Sequence, residues 1–384
     1  MTRDKRNRVL LLLAVPVLLT AAAVSVAKGG APPAKRKPRP TPQAGGNLGV
    51  VKPSWKEVDR LVDEQKLEEA SKVVEKLRTN ARAAGDEAEW TKALIREVQL
   101  RTALHGYETS VRFLMDQPWP KGARARATLN LFYGQSLVTY ENAYGWEIAK
   151  REKVESKEKV DLKAWTKDEI HAQAVKAYVA VWNERDALGH EPVSALSEYL
   201  DANSYPKGIR DTLRDAVSYL FVELLANTSA WRPEQSNEIY ALDLPSLIAG
   251  DPKVSALVEL DDPAVHPLVK IAAVLDDLEA WHAREGEREA SLEARLARLR
   301  RLHASFTEAE DRKEIRKALE KRLPAFHDVP WWAAGMADLA GFVREEDDPN
   351  ALVRARRLAE QGWKAYPKTV GGERCLYVVK SIEA

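Results

Sequence analysis

From Ser54 to the C-terminus, apolar residues recur at every third or fourth position, the spacing that places them on one face of an α-helix. The first helical segment shows this spacing at Leu61, Leu67, Ala70, Val74, Leu77 and Ala81. No stretch alternates between apolar and polar residues as a half-buried strand does, and no Asn-Gly hairpin turn occurs. The pattern therefore predicts an all-α fold of about a dozen helices.

Glycine and proline residues divide this helical pattern into short segments, joined by turns that are typical of stacked helical hairpins in a tetratricopeptide-like solenoid. The predicted breaks lie at Gly85, Gly106, 118–122, Gly189, 206–208, Pro233, Pro252, Gly286, 324–330 and 367–372. Residues 61–95 and 350–382 each fit a helix–turn–helix unit, but a period of about 34 residues does not connect them. We expect residues 54–384 to form one irregular repeat-like domain, or two subdomains with a border near 245–262.

Four short motifs predict where individual helices begin. Ser54–Glu57, Thr166–Glu169 and Thr307–Glu310 each fit a capping box, in which a hydroxyl accepts from a first-turn amide and a glutamate bonds back to the cap. Asp348-Pro349 combines a cap residue with a proline at the first helical position.

Residues 1–27 predict that the chain is exported. An uncharged run of 19 residues, from Val9 to Ala27, follows four basic residues and ends in small side chains. This order is typical of a secretory signal peptide, and cleavage would leave Lys28 as the first residue. The run is also long enough for an uncleaved anchor, since about 20 apolar residues span a bilayer. We therefore expect a periplasmic or envelope-associated protein, either released or anchored to the inner membrane by residues 9–27.

Residues 28–53 contain six prolines and five glycines but few large apolar side chains. Such a segment buries too little surface to offset the entropy of ordering, so we expect a disordered linker. Its basic cluster either contacts anionic lipid headgroups or keeps the spacer solvated.

Residues 1–52 hold ten Lys or Arg and one Asp, so the other 49 basic and 57 acidic residues give residues 53–384 a formal charge of −8. An acidic folded region argues against nucleic acid as a partner.

The sequence offers little for metal or redox chemistry. Cys375 is the single cysteine and cannot form an internal disulfide, so we expect a small buried apolar side chain there. Among seven histidines there is no His-x-x-x-His pair, and Cys-x-x-Cys is also absent. No phosphate-binding loop, dinucleotide fingerprint or nucleophile elbow occurs. We therefore predict no metal site, no cofactor, no catalytic residues and no small-molecule substrate.

Charged residues make up 30% of the chain, and we expect most of them to lie on solvated faces. Asp261-Asp262, Asp276-Asp277 and Glu345–Asp348 fit this interpretation. The alternative is a pair of carboxylates about 5–10 Å apart, as a glycosidase requires. Residues 287–301 are rich in opposite charges three and four positions apart. This pattern predicts a solvated helix with Leu292, Leu296 and Leu299 turned inward. The alternative is a helix that binds a partner.

Eleven tryptophans are the clearest compositional anomaly. We expect most of them to fill gaps between helices, because a single large ring covers a wide space. Exposed tryptophans would instead stack on sugars or anchor a protein partner. Trp119, between Pro118 and Pro120, is the best candidate for such an exposed ring. A helix predicted over roughly 123–153 carries four further rings, at Tyr133, Tyr140, Tyr144 and Trp146.

Three runs of sequence and the C-terminal end resemble a known family. The runs are ALIREVQLRTALHGYE (93–108), RDAVSYLFVELLANTSAWRPEQSNEIYALDL (214–244) and RLPAFHDVPWWAAGMADLAGFVR (322–344). With the end GGERCLYVVKSIEA, they resemble the helical N-terminal region of large bacterial alpha-2-macroglobulin-like proteins over roughly residues 54–384. The resemblance implies an exported, envelope-associated protein whose family traps proteases with a bait segment and, in many members, an internal thioester.

The chain departs from that family at the trap itself. Cys375 lies in Arg-Cys-Leu-Tyr rather than in the Cys-x-Glu-Gln thioester motif, and no β-rich macroglobulin repeats are predicted. Protease inhibition therefore does not transfer, and what transfers is a helical module that precedes the trap. Three origins remain open for such a chain: a truncated gene product, a split subunit, or a part of a longer protein that ends at the domain border.

These observations predict a non-catalytic exported helical scaffold or interaction module associated with an alpha-2-macroglobulin-like protease-trapping system. Its expected partner is a protein, either macroglobulin-type domains or another envelope protein, with membrane contact only through the N-terminal segment. One alternative is a free-standing tetratricopeptide-like envelope adaptor. Another is a carbohydrate-active helical enzyme, which requires two facing carboxylates in a tryptophan-lined cleft.

Overall fold

The computed structural model describes residues 53–154, 161–200 and 203–384. Within these ranges the backbone forms seventeen α-helices and no β-strand, so the all-α prediction is confirmed. Thirteen of the helices have nine or more residues, and the other four have six or fewer. The predicted leader 1–27 and all but the last residue of the predicted linker 28–53 lie outside the described residues.

The first part of the fold is a series of helices in which each packs on the next. It comprises α1 (Trp55–Asp63), α2 (Leu67–Ala84), α3 (Glu87–Ala103), α4 (Tyr107–Asp116), α5 (Ala123–Ile148) and α6 (Lys167–Asn183). The closest pairs here are the hairpins α2–α3 and α5–α6. Gly85 closes the first of these hairpins with φ of 69°, a left-handed conformation that suits glycine at a helix C-terminus.

The middle of the chain is built around α8 (Leu213–Leu225), which packs against both α6 and α12 (Pro267–Arg284). Four short helices also belong to this part, namely α7 (Arg185–Leu188), α9 (Pro233–Asn237), α10 (Leu244–Ala249) and α11 (Pro252–Ser255). The longer ones are α8 (Leu213–Leu225), α12 (Pro267–Arg284) and α13 (Arg288–Ser305), with α12 and α13 forming a hairpin.

The C-terminal part packs α15 against α16 and α17. Its helices are α14 (Ala309–Arg322), α15 (Trp332–Arg344), α16 (Ala351–Ala365) and α17 (Val370–Glu383). The predicted unit 350–382 corresponds to the hairpin α16–α17, and the unit 61–95 overlaps α2–α3. Both helix–turn–helix predictions are confirmed, whereas their tetratricopeptide character stays a prediction.

Two apolar clusters stabilise the described residues. A small cluster holds α1, α2 and α3 together through Val58, Leu61, Ala70, Val74, Ala93 and Leu100. The main cluster runs from Leu94 to Val379 and includes Leu244 and Leu268, on either side of the border predicted near 245–262. The division into two subdomains stays a prediction.

The predicted helix starts have different outcomes. Thr166 and Glu169 form the complete capping box before α6, as predicted. Ser54 caps α1, but the Glu57 carboxylate bonds to a neighbouring arginine rather than to the cap. The box at Thr307 is wrong: α14 begins at Ala309, because Glu308 is extended and takes the N-cap position in place of Thr307.

The start at Asp348-Pro349 is also displaced. Helix α16 begins at Ala351, because Asp348 accepts from the amide of Asn350 at 2.8 Å and pairs with Arg354 in the following turn. Among the described helices, none is both long and apolar enough to cross a membrane.

Candidate functional site

A cleft of about 350 Å³ lies between the hairpin α5–α6 and α8, with further walls from α3 and from the segment between α7 and α8. We call it the tyrosine cleft, because four rings dominate its apolar lining: Phe132, Tyr178, Tyr199 and Tyr219. Its volume falls within the range of about 300–1,000 Å³ that ligand sites occupy. The cleft can therefore hold a small ligand or a few side chains of a polypeptide.

The rings of the tyrosine cleft are fixed by their neighbours. Phe132 and Tyr199 meet edge to face, with centroids 6.1 Å apart and planes at 82°. Tyr178 packs on Phe221 at 6.1 Å. A Cβ atom at Gly134 would lie 2.7 Å from the Tyr178 ring, so glycine at this position lets α5 and α6 approach closely. Rings held in this way offer contact area at a low cost in conformational entropy.

Hydrogen-bond donors line the cleft beside the rings. The Gln135 side-chain oxygen accepts from the Tyr178 hydroxyl at 3.4 Å, and that of Gln99 accepts from Arg96 at 3.4 Å. Both amide nitrogens are left as donors. Tyr219 is 8% exposed, and its hydroxyl has no hydrogen-bond partner among the described residues. Burial raises the pKa of Tyr219 well above its usual value, so this hydroxyl stays protonated.

One end of the cleft is formed by Arg210, which adopts a left-handed backbone conformation with φ of 56°. Its guanidinium lies between two rings, 4.2 Å from the Tyr205 centroid and 3.6 Å from that of Tyr219. Asn203 donates to the Arg210 carbonyl at 2.9 Å. Strained residues of this kind persist only where surrounding contacts hold them, and they cluster at functional sites.

A chain of buried ion pairs continues from Arg210 into the core. The Glu293 side chain has no exposed surface, and it accepts from Arg210 at 2.7 Å, from Arg300 at 2.6 Å and from the Trp331 indole at 2.9 Å. Burial raises the pKa of Glu293, but the two guanidinium groups outweigh it and hold the pKa below its usual value. Arg300 also faces Asp338 at 3.6 Å.

This chain of ion pairs ends at a second cavity of about 470 Å³, which is polar. Arg374 pairs there with Asp338, and Arg312 pairs with Glu345 at 3.3 Å. Burial raises the pKa of Asp338 despite its two arginine neighbours. The arginines of this cavity are thus already used in internal pairs, unlike the donors of the tyrosine cleft.

The two carboxylates of the tyrosine cleft are also bound. Asp215 accepts from Thr212 at 2.8 Å and faces His282 at 2.8 Å, while Glu223 pairs with Arg301. No tryptophan is among the described residues that line the cleft. The arrangement expected of a carbohydrate-active enzyme, two free carboxylates in a tryptophan-lined cleft, is therefore not found here.

His282 ties the wall of the cleft to the α12–α13 turn. Its ring lies between Asp215, at 2.8 Å, and Glu287, at 2.6 Å. Burial lowers the pKa of His282, but the two carboxylates outweigh burial and raise it above the usual value. When protonated, the imidazole donates to both carboxylates and so stabilises the position of α8, which carries Tyr219.

The tryptophans mostly fill the core, as predicted. Four are buried and six are half-buried against the two apolar clusters. The prediction for Trp119 is wrong: its ring packs on the core, and its indole donates to the Leu114 carbonyl at 2.8 Å. The exposed ring is Trp146, at 75%, which lies against the Lys150 ammonium.

Two predictions of solvated charges are wrong. Asp276 is buried and pairs with Arg298 at 2.8 Å, because α12 and α13 face each other at this point. Helix α13 does bury Leu292, Leu296 and Leu299 as predicted. It also buries Glu293 and Arg298, since neighbouring elements cover more than one of its faces.

Cys375 is fully buried, as predicted, with its sulfur 3.1 Å from the Ala333 carbonyl. Burial raises the pKa of this thiol to about 12. In the part of the chain that the structure describes, no group of three or more His, Cys, Asp or Glu residues is placed to hold a metal ion.

Sequence reasoning nominated no site residue, and it missed the tyrosine cleft. The cleft residues come from distant parts of the chain, and their tyrosines carry no local motif. Comparison with known proteins adds no relative: no family model, no curated protein and no solved structure matches this chain.

Proposed function

We propose that this chain is a non-catalytic helical scaffold that binds an extended segment of a protein partner in the tyrosine cleft. The observation that carries the proposal is the combination of four fixed rings with three donors, at Gln99, Gln135 and Tyr219, for which the described residues supply no acceptor. Rigid aromatic side chains dominate binding energy at protein interfaces. Donors beside them suit the carbonyl groups of a polypeptide backbone.

The location and the partner form a second part of the proposal. The predicted export signal and the resemblance to alpha-2-macroglobulin-like proteins support a role in the cell envelope, beside a macroglobulin-type partner. The alternative partner is another envelope complex, for which the chain would act as a free-standing adaptor. Purified macroglobulin-type domains should bind the full chain in the first case and fail to bind it in the second.

The role of the cleft is tested with a matched pair of leucine variants. Leu220 is half-buried in the cleft, whereas Leu257 is 81% exposed and lies outside it. Partner proteins are captured from envelope extract with the full chain, identified, and titrated as purified proteins. Leu220→Asp should weaken binding about tenfold or more, because it places a charge against an apolar ligand.

Leu257→Asp should leave the same binding unchanged. Equal binding by both variants would exclude the cleft as the interface. Capture of no protein, together with binding to peptidoglycan or another polysaccharide, would overturn the scaffold proposal itself.

A further inference from the structure

We infer that the tyrosine cleft binds a proline-rich polypeptide segment, and that its occupant in the full chain is the segment 28–52 of the same chain. This inference rests on the proposed function, because it names the ligand of the same cleft. Three features support it: the unmatched donors, the shape of the aromatic walls, and the place where the folded part of the chain begins.

The cleft offers hydrogen-bond donors to a ligand. Gln99, Gln135 and Tyr219 have hydrogens to donate, and the buried carboxylate of Asp215 already accepts from Thr212. An ordinary peptide strand would bring backbone N–H groups, and each one left unpaired would cost free energy. Proline has no N–H group, and the polyproline helix has no internal hydrogen bonds, so its carbonyls remain available.

The walls of the cleft suit proline rings. Phe132 and Tyr199 stand at 82° to each other and form an angled slot. Grooves lined by aromatic side chains recognise proline-rich segments in this way, since the polyproline helix is already ordered before binding. The cleft volume of about 350 Å³ limits the contact to a short stretch of such a helix.

The folded part of the chain begins at the edge of this cleft. The Lys92 ammonium lies 4.7 Å from the centre of the Trp55 ring and 2.6 Å from the Glu198 carboxylate. Glu198 directly precedes Tyr199, a wall of the cleft. The Trp55 indole also donates to the Glu89 carboxylate. The pKa of Tyr199 is raised mainly by burial, then by the charge of Glu198 and then by that of Glu89, so Glu89 lies near this ring. Segment 28–52 therefore joins the described part of the chain near the Tyr199 wall of the cleft.

The segment has the composition and the reach to occupy the cleft. Five prolines lie at positions 32, 33, 38, 40 and 42. The stretch from Pro42 to Pro53 spans about 30 Å when extended, at about 3.1 Å per residue. Because the segment is attached, its effective concentration at the cleft is in the millimolar range, so even weak intrinsic affinity keeps it bound.

Charge favours the same pairing. The segment carries a basic cluster of Lys35, Arg36, Lys37 and Arg39. At the edge of the cleft, the side chains of Glu198 and Glu223 are 50% and 62% exposed. A partner that uses the cleft must displace the chain's own segment, which lowers the apparent affinity of every such partner.

The first measurement is photo-crosslinking in the full chain. A photoreactive amino acid replaces Leu200, a half-buried residue of the cleft, and the linked peptides are mapped by mass spectrometry. We expect links to residues 28–52 within a single copy of the chain. Links only to other regions would overturn the inference. Links to residues 28–52 of a second copy would overturn the same-chain assignment and identify that copy as the occupant.

The second measurement is trypsin cleavage after Lys35 and Arg36, which docking should slow. Tyr219→Phe removes one hydroxyl and should speed cleavage about fivefold, the effect of one lost hydrogen bond. The triple variant Pro38→Ala, Pro40→Ala and Pro42→Ala should speed it at least as much. Tyr377→Phe is the matched control, since Tyr377 is 73% exposed on α17, and it should change nothing.

Cleavage that neither Tyr219→Phe nor the triple variant accelerates would contradict the inference. The inference about residues 28–52 and the proposed function can fail separately. The proposed function is tested by the loss of partner binding in Leu220→Asp. Loss of partner binding without links to residues 28–52 would leave the proposed function standing. Links to residues 28–52, together with unchanged partner binding in Leu220→Asp, would support the inference and contradict the proposed function.

Discussion

Ion pairs around α1 lie on the surface, whereas several of those that join the central helices α8, α12 and α13 are buried. In α1, Arg60 pairs with Glu57 and Glu64 on an open surface, with 50% of its side chain exposed. In α13, the side chains of Glu293 and Arg298 are at most 1% exposed. Exposed pairs contribute little to stability, whereas a buried charge that loses its partner is strongly destabilising. Similar charge patterns in the sequence thus have different energetic meanings.

Two buried glutamates sharpen this comparison. Glu97 in α3 accepts from Ser71 at 3.0 Å and from Arg101 at 2.9 Å with one oxygen, and its other oxygen is buried without a partner. Glu293 uses both oxygens and has three donors, two of them guanidinium groups. The central region therefore depends on its carboxylate more than the N-terminal region does.

The largest expected effect is that of Glu293→Gln, which keeps the shape of the side chain and removes its charge. Arg210 and Arg300 lose their shared counter-charge inside the protein. We expect the free energy of unfolding to fall by about 3–5 kcal/mol. Urea denaturation followed by circular dichroism measures it.

Glu97→Gln is the matched control for that variant. We expect a loss of about 1 kcal/mol or less, because one oxygen of Glu97 has no partner to lose and Arg101 is 35% exposed to water. Equal losses of unfolding free energy in the two variants would contradict the conclusion that the central region depends more on its buried carboxylate.

An intermediate effect is expected from truncating leucines in the two apolar clusters. Leu296→Ala opens a cavity in the main cluster, where Leu296 is fully buried and lies close to Gly335 of α15. Leu100→Ala does so in the small cluster of six buried residues. Such substitutions usually lower the free energy of unfolding by about 2–5 kcal/mol. We expect the loss for Leu296→Ala to lie near the top of this range and that for Leu100→Ala near the bottom.

Chemical denaturation of both variants under one set of conditions gives this difference directly. A larger loss at Leu100 would mean that the N-terminal helices are packed more tightly than the central core, contrary to the comparison.

The smallest expected effect is a pH dependence from His282 in the central region. Its pKa is raised in the folded protein, so its stabilising charge is fully present below the unfolded value of about 6.5 and is lost as the pH rises through the folded value. The free energy of unfolding of the wild type should therefore fall as the pH rises above about 6.5. In His282→Gln this fall should be absent.

His171 provides an opposite reference for that titration. Burial, followed by the charge of Lys270, lowers the pKa of His171 to about 4. Its folded form stays neutral, so it reduces stability as the pH falls from about 6.5 towards 4. Denaturation curves at several pH values separate the two windows, and a fall above pH 6.5 that persists in His282→Gln would rule out this role of His282.

Local features of the fold were predictable because their causes lie within a few residues. The capping box at Thr166 forms as its spacing predicts, and Gly85 ends α2 in the conformation that suits glycine. The hairpin α16–α17 follows from apolar periodicity and the break at 367–372. Each of these depends on neighbours in sequence.

Long-range features were predicted less well. The alternating charges of α13 predict a solvated helix, yet Glu293 is buried and accepts from Arg210, which lies 83 residues earlier in the sequence. Trp119 reads as an exposed ring between two prolines, yet its indole finds a carbonyl in the preceding helix. In both cases a distant or covering element decides burial, and the sequence pattern does not identify that element.

The sequence by itself determined that the chain is helical, where several of its helices break, and that its single cysteine is buried. Only the tertiary structure brought Phe132, Tyr178, Tyr199 and Tyr219 together into a cleft. The physical reason is that helix formation follows from periodicity and caps over one or two turns. A cleft depends instead on which distant surfaces pack, and packing is decided by the whole chain at once.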